Sequence, residues 1–498
     1  MEKNYYKIFL IIILIKLFFA WVFPITTDEA YWLILGKHLD VNYYDHPPMS
    51  GWAIYLFSLL GSHVFFARLF TIFYGILAAL GIYFAAKELS QDTAKAKLAS
   101  LIFLVSPLHV LFVLIATDTS LCVFVLLSGI TFYFGHSRNK TSLVFLAGIF
   151  LGLAVLSKYF SGLLLIALIV CLFVYKSRKQ AVINSIILVS GAIPFVLMHL
   201  YWSSMNCWTN IMFNVINRNQ NVETDYTRLI VFALFQIYLS TPWLLYYAFR
   251  NYRPIREGIR KERNLFFFLF AIPISILGMV SIQNTGLHWY FSFYPFLFLF
   301  LFYIPSENLR KIVKYSALFS CVHLIIVAFL LTLPVEIIQN SKHYKTLLIY
   351  CYGDEIVREI QKKYGDQYIL AGSGYSTSSV LTYHGGREFI VFSSGSKYGR
   401  HFDKLNDFRE YDGKDILIFA STEDYHDYFD QVTIDTLRIR NYDFPVTLGK
   451  GFRYPQYRNR FLVWAREQWY NIPDLLPVCD CFFIDRYFPA NEKQDGSR

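Results

Sequence analysis

Charged residues are scarce in this sequence: Asp, Glu, Lys and Arg make up 16% of its 498 residues. A soluble globular protein carries roughly 25%, so the scarcity excludes an ordinary soluble domain and indicates that much of the chain lies in lipid. The net charge of +10 does not indicate nucleic-acid binding, because the basic residues fall in short loops between apolar runs.

The sequence also lacks the cysteine spacings of a zinc site or of a thioredoxin-type motif. Of the seven cysteines, Cys122, Cys171 and Cys321 lie in apolar runs, where cysteine usually acts as a small buried hydrophobic residue. Cys479 and Cys481 are separated by a single residue, which is too close for either motif, and no second pair lies nearby. The sequence contains no internal repeat and no low-complexity tract.

Apolar runs, by contrast, are abundant and approach the ~20 residues that a helix needs to cross a bilayer. The first run is followed by no small-x-small cleavage pattern, so we interpret it as an uncleaved span. The runs predict a polytopic α-helical membrane protein with about eleven spans. They lie at 5–24, 63–86, 97–115, 119–135, 142–156, 160–175, 182–201, 229–249, 264–282, 288–304 and 315–334.

The loops between these runs alternate in basic content. The basic loops are 3–7, 87–97, 138–140, 176–179, 250–263 and 310–314. The loops between them carry few basic residues, and positive-inside topology then places the N-terminus in the cytoplasm and everything after Leu333 outside. We therefore expect a multi-pass protein of the cytoplasmic (inner) membrane whose C-terminal part is extracytoplasmic, that is, periplasmic.

The sequence predicts two domains. Residues 1–334 form a transmembrane module, whose first outer loop, 25–62, contains two interfacial helices at 29–39 and 49–61. Residues 341–498 form a soluble extracytoplasmic α/β domain with a helix at 355–364. Its predicted strands lie at 368–373, 389–392, 415–420, 432–439 and 461–465.

Acidic residues gather in the predicted outer loops. Asp28 and Glu29 follow two threonines, Asp45 precedes His46 and two prolines, and Asp118 follows another threonine. Ionisable groups at membrane depth are costly, so each is a candidate for function. Helix N-capping is an alternative explanation for Asp28, Glu29 and Asp118. Asp45 is a candidate oxygen ligand for a divalent cation such as Mg, Mn or Zn.

Basic residues are few in the same loops, and three of them stand out. Lys158 interrupts an apolar run, Arg218 lies in a loop rich in tryptophan, and His288 begins the tenth span. Each is a candidate contact to a lipid phosphate, as is His46. The alternatives are a snorkelling lysine, interfacial anchoring, and a histidine that only donates a hydrogen bond.

All of these candidates fall on one predicted side of the membrane. Acids and cations beside a lipid surface are suited to sugar transfer from a polyprenyl-phosphate donor. A carboxylate would take the proton of the acceptor hydroxyl, which contributes about 10²–10⁴-fold to the rate. Cations or a metal ion would stabilise the departing phosphate. We therefore expect these residues to share one pocket at the outer face.

Five segments also resemble a known family, in the right order over roughly residues 1–305. The resemblance is to the bacterial protein-mannosyltransferase-like and aminoarabinose-transferase-like branch of glycosyltransferase family 39, which has the GT-C fold. The segments are Asp28-Glu29-Ala30-Tyr31, Tyr43-Tyr44-Asp45-His46-Pro47-Pro48, Thr117-Asp118, Leu156-Ser157-Lys158-Tyr159 and Trp202…Asn206…Trp208.

The resemblance implies an inverting, metal-dependent or metal-assisted transferase that uses a polyprenyl-phosphate-linked sugar. It implies that Asp28 is the catalytic base, that Asp45 helps to bind a cation or the donor, and that Asp118 lies opposite. Lys158 and Arg218 would then hold the lipid phosphate. The acceptor class stays open among lipid A, another glycolipid, a glycan and a protein.

The sequence departs from this family at two positions. His46 stands where the lipid A aminoarabinose transferases carry a lysine, and Asn214-Val215 replaces their Glu-His pair. These departures count against a two-histidine metal site and an aminoarabinose specificity.

Two other classes of protein remain alternatives. A transporter or flippase of lipid-linked sugars would keep its ionisable residues near the bilayer midplane, where Lys16 and Arg68 are the main charges within the predicted spans. A scaffold protein would leave the paired acids without a role.

Overall fold

A computed structural model describes residues 2–112, 119–219, 224–262, 264–283, 286–477 and 480–489. The chain divides into two compact units. The first contains 1–23, 47–198 and 221–332, and the second contains 24–46, 199–220 and 333–498. The predicted domains were separated by one cut after residue 334, whereas the second unit also includes parts of the first outer loop and of the loop near 210.

The first unit is helical, because nearly all of its sequence is apolar and free of turn signals. Its helices are Tyr5–Val22, Met49–Ser58, Val64–Ser90, Thr93–Leu104, Thr119–Ser137, Thr141–Val155, Gly162–Tyr175, Arg178–Ser204 (which ends in the second unit), Thr227–Ser240, Pro242–Arg250, Tyr252–Glu262, Leu265–Val280, Tyr294–Phe298 and Ser306–Thr332. Shorter helical turns are Glu2–Asn4, Leu108–Phe112, Tyr159–Ser161, Leu287–Phe293 and Leu301–Tyr303.

Within the described ranges, five helices are long and apolar enough to cross a membrane, or up to seven if each of two bent pairs is one span. Two shorter apolar helices, Thr141–Val155 and Tyr159–Tyr175, add to them. The structure thus confirms several apolar helices that are long enough to span a membrane, and the figure of about eleven spans stays a prediction. The two helices predicted in the first outer loop are present as Thr27–Lys37 and Met49–Ser58, and their position at the membrane interface stays a prediction.

Close helix packing in the first unit depends on glycine. Gly148 and Gly191 face each other across helices Thr141–Val155 and Arg178–Ser204, and a methyl group on either would collide with the backbone of the other helix. Small residues at such crossings let helices approach closely in a membrane, where dispersion contacts replace the hydrophobic effect.

The two charges within the spans have local partners. Arg68 donates hydrogen bonds to the carbonyls of Ala20 (2.9 Å) and Phe23 (2.7 Å), which lie at the end of the first helix. Lys16 donates to the carbonyl of His109 at 3.0 Å. Buried charges need such partners. Here the two side chains donate to backbone carbonyls at the end of a helix and in a helical turn.

The second unit is built around one mixed five-stranded sheet. Strands Ile369–Gly372, Phe389–Val391 and Ile416–Phe419 pair in parallel, and strands Tyr442–Phe452 and Phe429–Ile439 continue the sheet antiparallel. Its helices and turns are Thr27–Lys37, Thr209–Ile211, Met212–Ile216, Asn217–Asn219, Val335–Ile338, Tyr344–Cys351, Gly353–Tyr364, Tyr375–Gly385, Ser393–Gly395, Phe402–Leu405, Phe408–Tyr411, His426–Tyr428, Tyr454–Tyr457, Arg458–Leu462, Val463–Trp469 and Phe482–Tyr487.

Four of the five predicted strands are present, and the prediction of a strand at 461–465 is wrong. That segment is helical, within Arg458–Leu462 and Val463–Trp469. A short apolar run does not distinguish strand from helix by itself. Here the ring centroids of Tyr457 and Phe461, four residues apart, lie 5.0 Å from each other, which is a helical neighbour contact.

A disulfide joins Cys207 to Cys481 within the second unit. The surrounding backbone pairs as well, since the N–H of Cys207 donates to the carbonyl of Asp480 at 2.9 Å. Segment 199–220 is therefore fixed to the C-terminal part of the same unit. The sequence analysis found no partner for Cys481, because Cys207 is 274 residues away.

Candidate active site

The first acidic pair begins helix Thr27–Lys37. The side chain of Thr26 caps this helix, and the carboxylate of Glu29 accepts hydrogen bonds from the N–H and the hydroxyl of Thr26, both at 3.0 Å. This is a capping box. Glu29 is buried in this structural role, whereas Asp28, in the same turn, is exposed. Of the two carboxylates, Asp28 is the one open to a reactant.

Asp45 is buried and held by two donors. Its Oδ1 accepts a hydrogen bond from the Tyr31 hydroxyl at 2.9 Å, and its Oδ2 accepts one from Arg400 at 2.8 Å. The carboxylate is 1% exposed and the guanidinium 14% exposed, so this ion pair is largely removed from water.

The surroundings keep the buried Asp45 ionised. Burial alone would raise the pKa of the Asp45 carboxyl, but the neighbouring His46 and Arg400 and the hydrogen bonds from Tyr31 and Arg400 outweigh it and lower that pKa. The same attraction acts in the other direction: burial would lower the pKa of Arg400, and Asp45 raises it. Both partners are charged at neutral pH.

Two aromatic rings fix the position of Arg400. Its guanidinium lies 4.2 Å from the ring centroid of Tyr375 and 4.9 Å from that of Phe213. Cation–π contacts of this kind are stronger when water is excluded. The Nε of Arg400 is buried and has no hydrogen-bond partner among the residues that the structure describes.

Arg218 lies close enough to Arg400 for the two guanidinium groups to repel each other. Burial lowers the pKa of Arg218, the charge of Arg400 lowers it further, and Asp45 opposes both effects. The second unit therefore brings Arg400 and Arg218 together beside the ionised Asp45. Two neighbouring guanidinium groups in a partly buried cluster are suited to binding an anion.

Asp28 approaches the same cluster through Tyr375. Burial raises the pKa of the Tyr375 hydroxyl, and the nearby Asp28 carboxylate adds to the rise while Arg400 opposes it. The ring of Tyr375 also packs edge-on against Tyr31, with centroids 5.4 Å apart. Helix Thr27–Lys37 packs against helix Tyr375–Gly385. The first helix carries the exposed carboxylate of Asp28, and the second carries the Tyr375 ring against which Arg400 stacks.

His46 occupies the edge of the cluster. Its ring stacks on Trp32 with centroids 5.0 Å apart, and its Nε2 lies 3.9 Å from Oδ2 of Asp45. The imidazole is 26% exposed. This position is compatible with the predicted contact to an anion, and it contributes positive charge next to Asp45 when the ring is protonated.

A second ion pair anchors the tryptophan-rich segment. Asp40 accepts hydrogen bonds from the indole of Trp202 at 2.7 Å and from Lys404 at 2.6 Å. Trp208 donates to the carbonyl of Pro477 at 2.9 Å. Both indoles are buried and bonded within the second unit, so they are not lipid-facing anchors, which was the alternative explanation for them.

Asp403 follows Arg400 by three residues and titrates near neutrality. Burial raises the pKa of its carboxyl from 3.8 to about 7, against the effect of a hydrogen bond from the Tyr470 hydroxyl. Because the folded state holds this proton between about pH 4 and pH 7 and the unfolded state releases it, Asp403 makes the protein less stable as pH rises through that window.

We expect Asp403→Asn to remove this pH dependence. Relative to the wild type, the variant should gain thermal stability progressively from about pH 4 to pH 7 and hold a constant gain above it. The matched control is Asp407→Asn. Burial would raise the pKa of Asp407, but the hydrogen bonds of Arg409 lower it, so the stability that this variant loses relative to the wild type should develop below about pH 4 and stay constant between pH 5 and pH 8. A stability difference between Asp403→Asn and wild type that is the same at pH 5 and pH 8 would contradict the assignment.

Lys158 and His288 belong to the first unit. Lys158 lies in the break between helices Thr141–Val155 and Gly162–Tyr175, and His288 lies in the turn Leu287–Phe293. The two segments are side by side, because the rings of Phe160 and Trp289 stack with centroids 5.3 Å apart. The predicted contacts of these two residues to phosphate stay predictions.

The start of helix Met49–Ser58 contacts the segment that precedes Lys158 in the first unit. The N–H of Met49 donates to the carbonyl of Leu156 at 2.9 Å. The predicted acid Asp118 lies outside the described residues, and its role also stays a prediction.

The residue that the sequence analysis missed is Arg400. It lies 355 positions from its partner Asp45, in a loop that reads as an ordinary solvated turn. The only available signal was indirect: Asp45 was a candidate for binding a cation or the donor, and its partner in the structure is the guanidinium of Arg400.

The donor set at Asp45 does not fit a metal ion. Both carboxylate oxygens accept hydrogen bonds from the protein, and two guanidinium groups nearby would repel a divalent cation. Among the residues that the structure describes, no three His, Cys, Asp or Glu side chains gather as a metal site. These hydrogen bonds and charges count against a metal at Asp45, whose role as a metal ligand stays a prediction, and we derive no step through a metal at this position.

Comparisons with known proteins agree with this architecture. Residues 45–202 match the family described as dolichyl-phosphate-mannose-protein mannosyltransferase. The lipid A galacturonosyltransferase RgtD of Rhizobium johnstonii is 26% identical over 263 residues, which are 52% of this chain and 55% of that protein. The chain therefore spans about half the length of this curated relative.

The fold is shared with a solved structure. ArnT from Cupriavidus metallidurans aligns with a TM-score of 0.61 in the apo state and 0.62 when bound to undecaprenyl phosphate. The sequence identities are 13% and 12%, and each alignment covers 90% of this chain and 98% of ArnT. These findings confirm the GT-C fold and the resemblance to the glycosyltransferase family 39 group.

Proposed function

We propose that this protein is a membrane glycosyltransferase that moves a sugar from a polyprenyl-phosphate donor to an acceptor at the outer face of the cytoplasmic membrane. The observation that carries the proposal is the buried pair of Asp45 and Arg400 with Arg218 beside it. Two neighbouring guanidinium groups form a site for an anionic group, and the departing group of this reaction is a lipid phosphate.

Asp28 is the proposed catalytic base. It is exposed at the first turn of a helix whose partner helix carries Tyr375, and it is close enough to Tyr375 to affect the pKa of that hydroxyl. The carboxylate would take the proton of the acceptor hydroxyl as the new glycosidic bond forms. The bond between the sugar and the phosphate breaks in the same step, and its electron pair goes to the phosphate oxygen.

Arg400 and Arg218 would stabilise that phosphate. The side chain of Arg400 is fixed before the reaction by two rings and Asp45, so it loses little freedom when charge develops on the leaving oxygen. Asp45 then acts as a positioning residue, since its oxygens bond to Arg400 and Tyr31 rather than facing a reactant.

The acceptor class follows from the relatives rather than from the geometry. RgtD is named for transfer to lipid A, and ArnT has been solved with undecaprenyl phosphate. We propose an undecaprenyl-type phosphate as the lipid of the donor and lipid A or a similar glycolipid as the acceptor.

A transporter is less consistent with the structure. Such a protein needs ionisable residues that can serve a substrate near the bilayer midplane. Lys16 and Arg68, the two charges named for that alternative, donate to backbone carbonyls of the first unit.

Mass spectrometry of lipid A and of envelope glycans from a deletion strain tests the proposed function. The strain should lack one sugar on one acceptor, and the wild-type gene should restore it while an Asp28→Asn gene should not. An unchanged glycan profile in the deletion strain would contradict the proposal. The proposal would also be contradicted if the deletion strain accumulated an unused lipid-linked sugar and the Asp28→Asn gene removed that accumulation.

The disulfide predicts the compartment of the second unit. Disulfides persist in oxidising compartments outside the cytoplasm, which supports the proposed extracytoplasmic location of the Cys207–Cys481 pair. In protein denatured without a reductant, alkylation followed by peptide mapping should leave Cys207 and Cys481 unmodified while Cys351 of the same unit reacts. Cys207→Ser should lower stability by about 2–4 kcal/mol. Full alkylation of Cys207 before reduction would contradict both the bond and the location.

A further inference from the structure

A large apolar cavity lies in the first unit beside helix Tyr252–Glu262. Its volume is about 680 Å³, within the roughly 300–1,000 Å³ that is usual for ligand sites. Its walls include Leu244 and Ala248 of the preceding helix, Phe267 of the following helix, and Phe300. An apolar cavity of this size in a membrane protein has the chemistry of an acyl chain.

The rim of this cavity is basic. Arg256 and Arg260 line it, four residues apart on helix Tyr252–Glu262, and both are exposed. Ile255 and Ile259 of the same helix pack against the hydrophobic core of the unit, so the helix is amphipathic. Like charges four residues apart on a helix repel each other, and an anionic group between them would relieve that repulsion.

The surrounding surface is typical of a membrane interface. Phe249, three residues before Tyr252 and 80% exposed, lies on the preceding helix Pro242–Arg250, as does the exposed Trp243. Aromatic residues gather at the level of the lipid headgroups, and amphipathic helices with basic polar faces bind there to anionic lipids.

The cavity is separate from Lys158, the candidate phosphate contact of the first unit. Tyr175, which lines it, is the last residue of helix Gly162–Tyr175, whereas Lys158 precedes the first residue of that helix. The helix has 14 residues, which is about 21 Å at 1.5 Å per residue. The cavity and Lys158 are therefore at opposite ends of one apolar helix.

We propose that this cavity binds an anionic glycerophospholipid, with an acyl chain among the apolar walls and the phosphate between Arg256 and Arg260. Each of the two arginines contributes positive charge to the headgroup site, and the apolar walls favour a lipid over free phosphate. The site would stabilise the junction between helix Pro242–Arg250 and helix Leu265–Val280 in a membrane rich in anionic lipid.

The test uses the full-length protein in mild detergent, with phosphatidylglycerol, phosphatidylcholine and inorganic phosphate added separately. We expect phosphatidylglycerol to raise the melting temperature, and phosphatidylcholine and inorganic phosphate to leave it unchanged. The double variant Arg256→Gln/Arg260→Gln should bind phosphatidylglycerol roughly 30-fold more weakly, because each basic residue near an anionic lipid contributes about five-fold.

Two further variants make the result specific. Arg253→Gln removes an equal charge from the same helix at a position that does not line the cavity, and it should lose much less affinity than either cavity-lining arginine. Ala248→Phe fills the cavity and should lose the bound lipid with both arginines intact. The proposal would be overturned if phosphatidylcholine raised the melting temperature as much as phosphatidylglycerol does, or if inorganic phosphate raised it. It would also be overturned if Arg253→Gln lost as much affinity as the double variant, or if Ala248→Phe bound the lipid fully.

Discussion

Asp28→Asn should lower the rate of sugar transfer by about 10²–10⁴-fold, because an amide cannot accept the proton of the acceptor hydroxyl. Asparagine has the same shape and also suits the first turn of a helix. Asp28 is exposed, and the lost interaction with the helix dipole costs about 0.3–1 kcal/mol. The variant should therefore fold, insert in the membrane and bind the lipid-phosphate donor as the wild type does.

The assay compares initial rates of transfer by purified variants with matched donor occupancy. Asp366→Asn is the control, since Asp366 is an exposed carboxylate of the same unit that pairs with Arg387, and its rate should equal that of the wild type. An active Asp28→Asn enzyme would remove Asp28 as the base. If Glu29→Gln were inactive at the same time, the base would be Glu29, although its carboxylate serves the capping box.

Arg400→Gln should destabilise the protein by about 3–5 kcal/mol, because it leaves the buried carboxylate of Asp45 without its ionic partner. The tyrosine hydroxyl that remains cannot replace a charge. Removing both charges should be much milder, so Asp45→Asn/Arg400→Gln should regain most of the stability while staying inactive. This recovery distinguishes a buried ion pair from a general packing role of the arginine.

Thermal unfolding in detergent measures these differences. Arg409→Gln provides the matched control, since Arg409 pairs with Asp407 at 2.7 Å but is about half exposed, and surface ion pairs contribute about 0–1 kcal/mol. Equal losses from Arg400→Gln and Arg409→Gln, or a double variant less stable than Arg400→Gln, would show that the Asp45–Arg400 pair does not hold the cluster together.

Local features of the fold could be predicted from the sequence because their causes are local. The capping residues Thr26 and Glu29 mark the start of helix Thr27–Lys37, and the runs of apolar residues mark four of the five strands. Strand Tyr442–Phe452 was missed because Pro445, Gly449 and Gly451 lie within it, and such residues usually indicate turns. Its long pairing with strand Phe429–Ile439 compensates for them.

The candidate site could be predicted only in part, because its partners are distant in the sequence. Asp45 and Arg218 were identified as charged residues in apolar surroundings, which is a local signal. Their connection through Arg400 depends on the fold of the C-terminal segment, as does the disulfide that holds the segment of Arg218 in place. One sequence contains no local trace of either contact.

The most direct test of the proposed transferase is a balance between donor and acceptor. Purified protein is incubated with an extract of polyprenyl-phosphate-linked sugars and with a lipid A-type glycolipid, and mass spectrometry follows both. The proposed reaction predicts that free polyprenyl phosphate and the glycosylated acceptor appear in equal amounts, and that neither appears with Asp28→Asn. Polyprenyl phosphate released without a glycosylated acceptor, or no release from any donor in the extract, would contradict it.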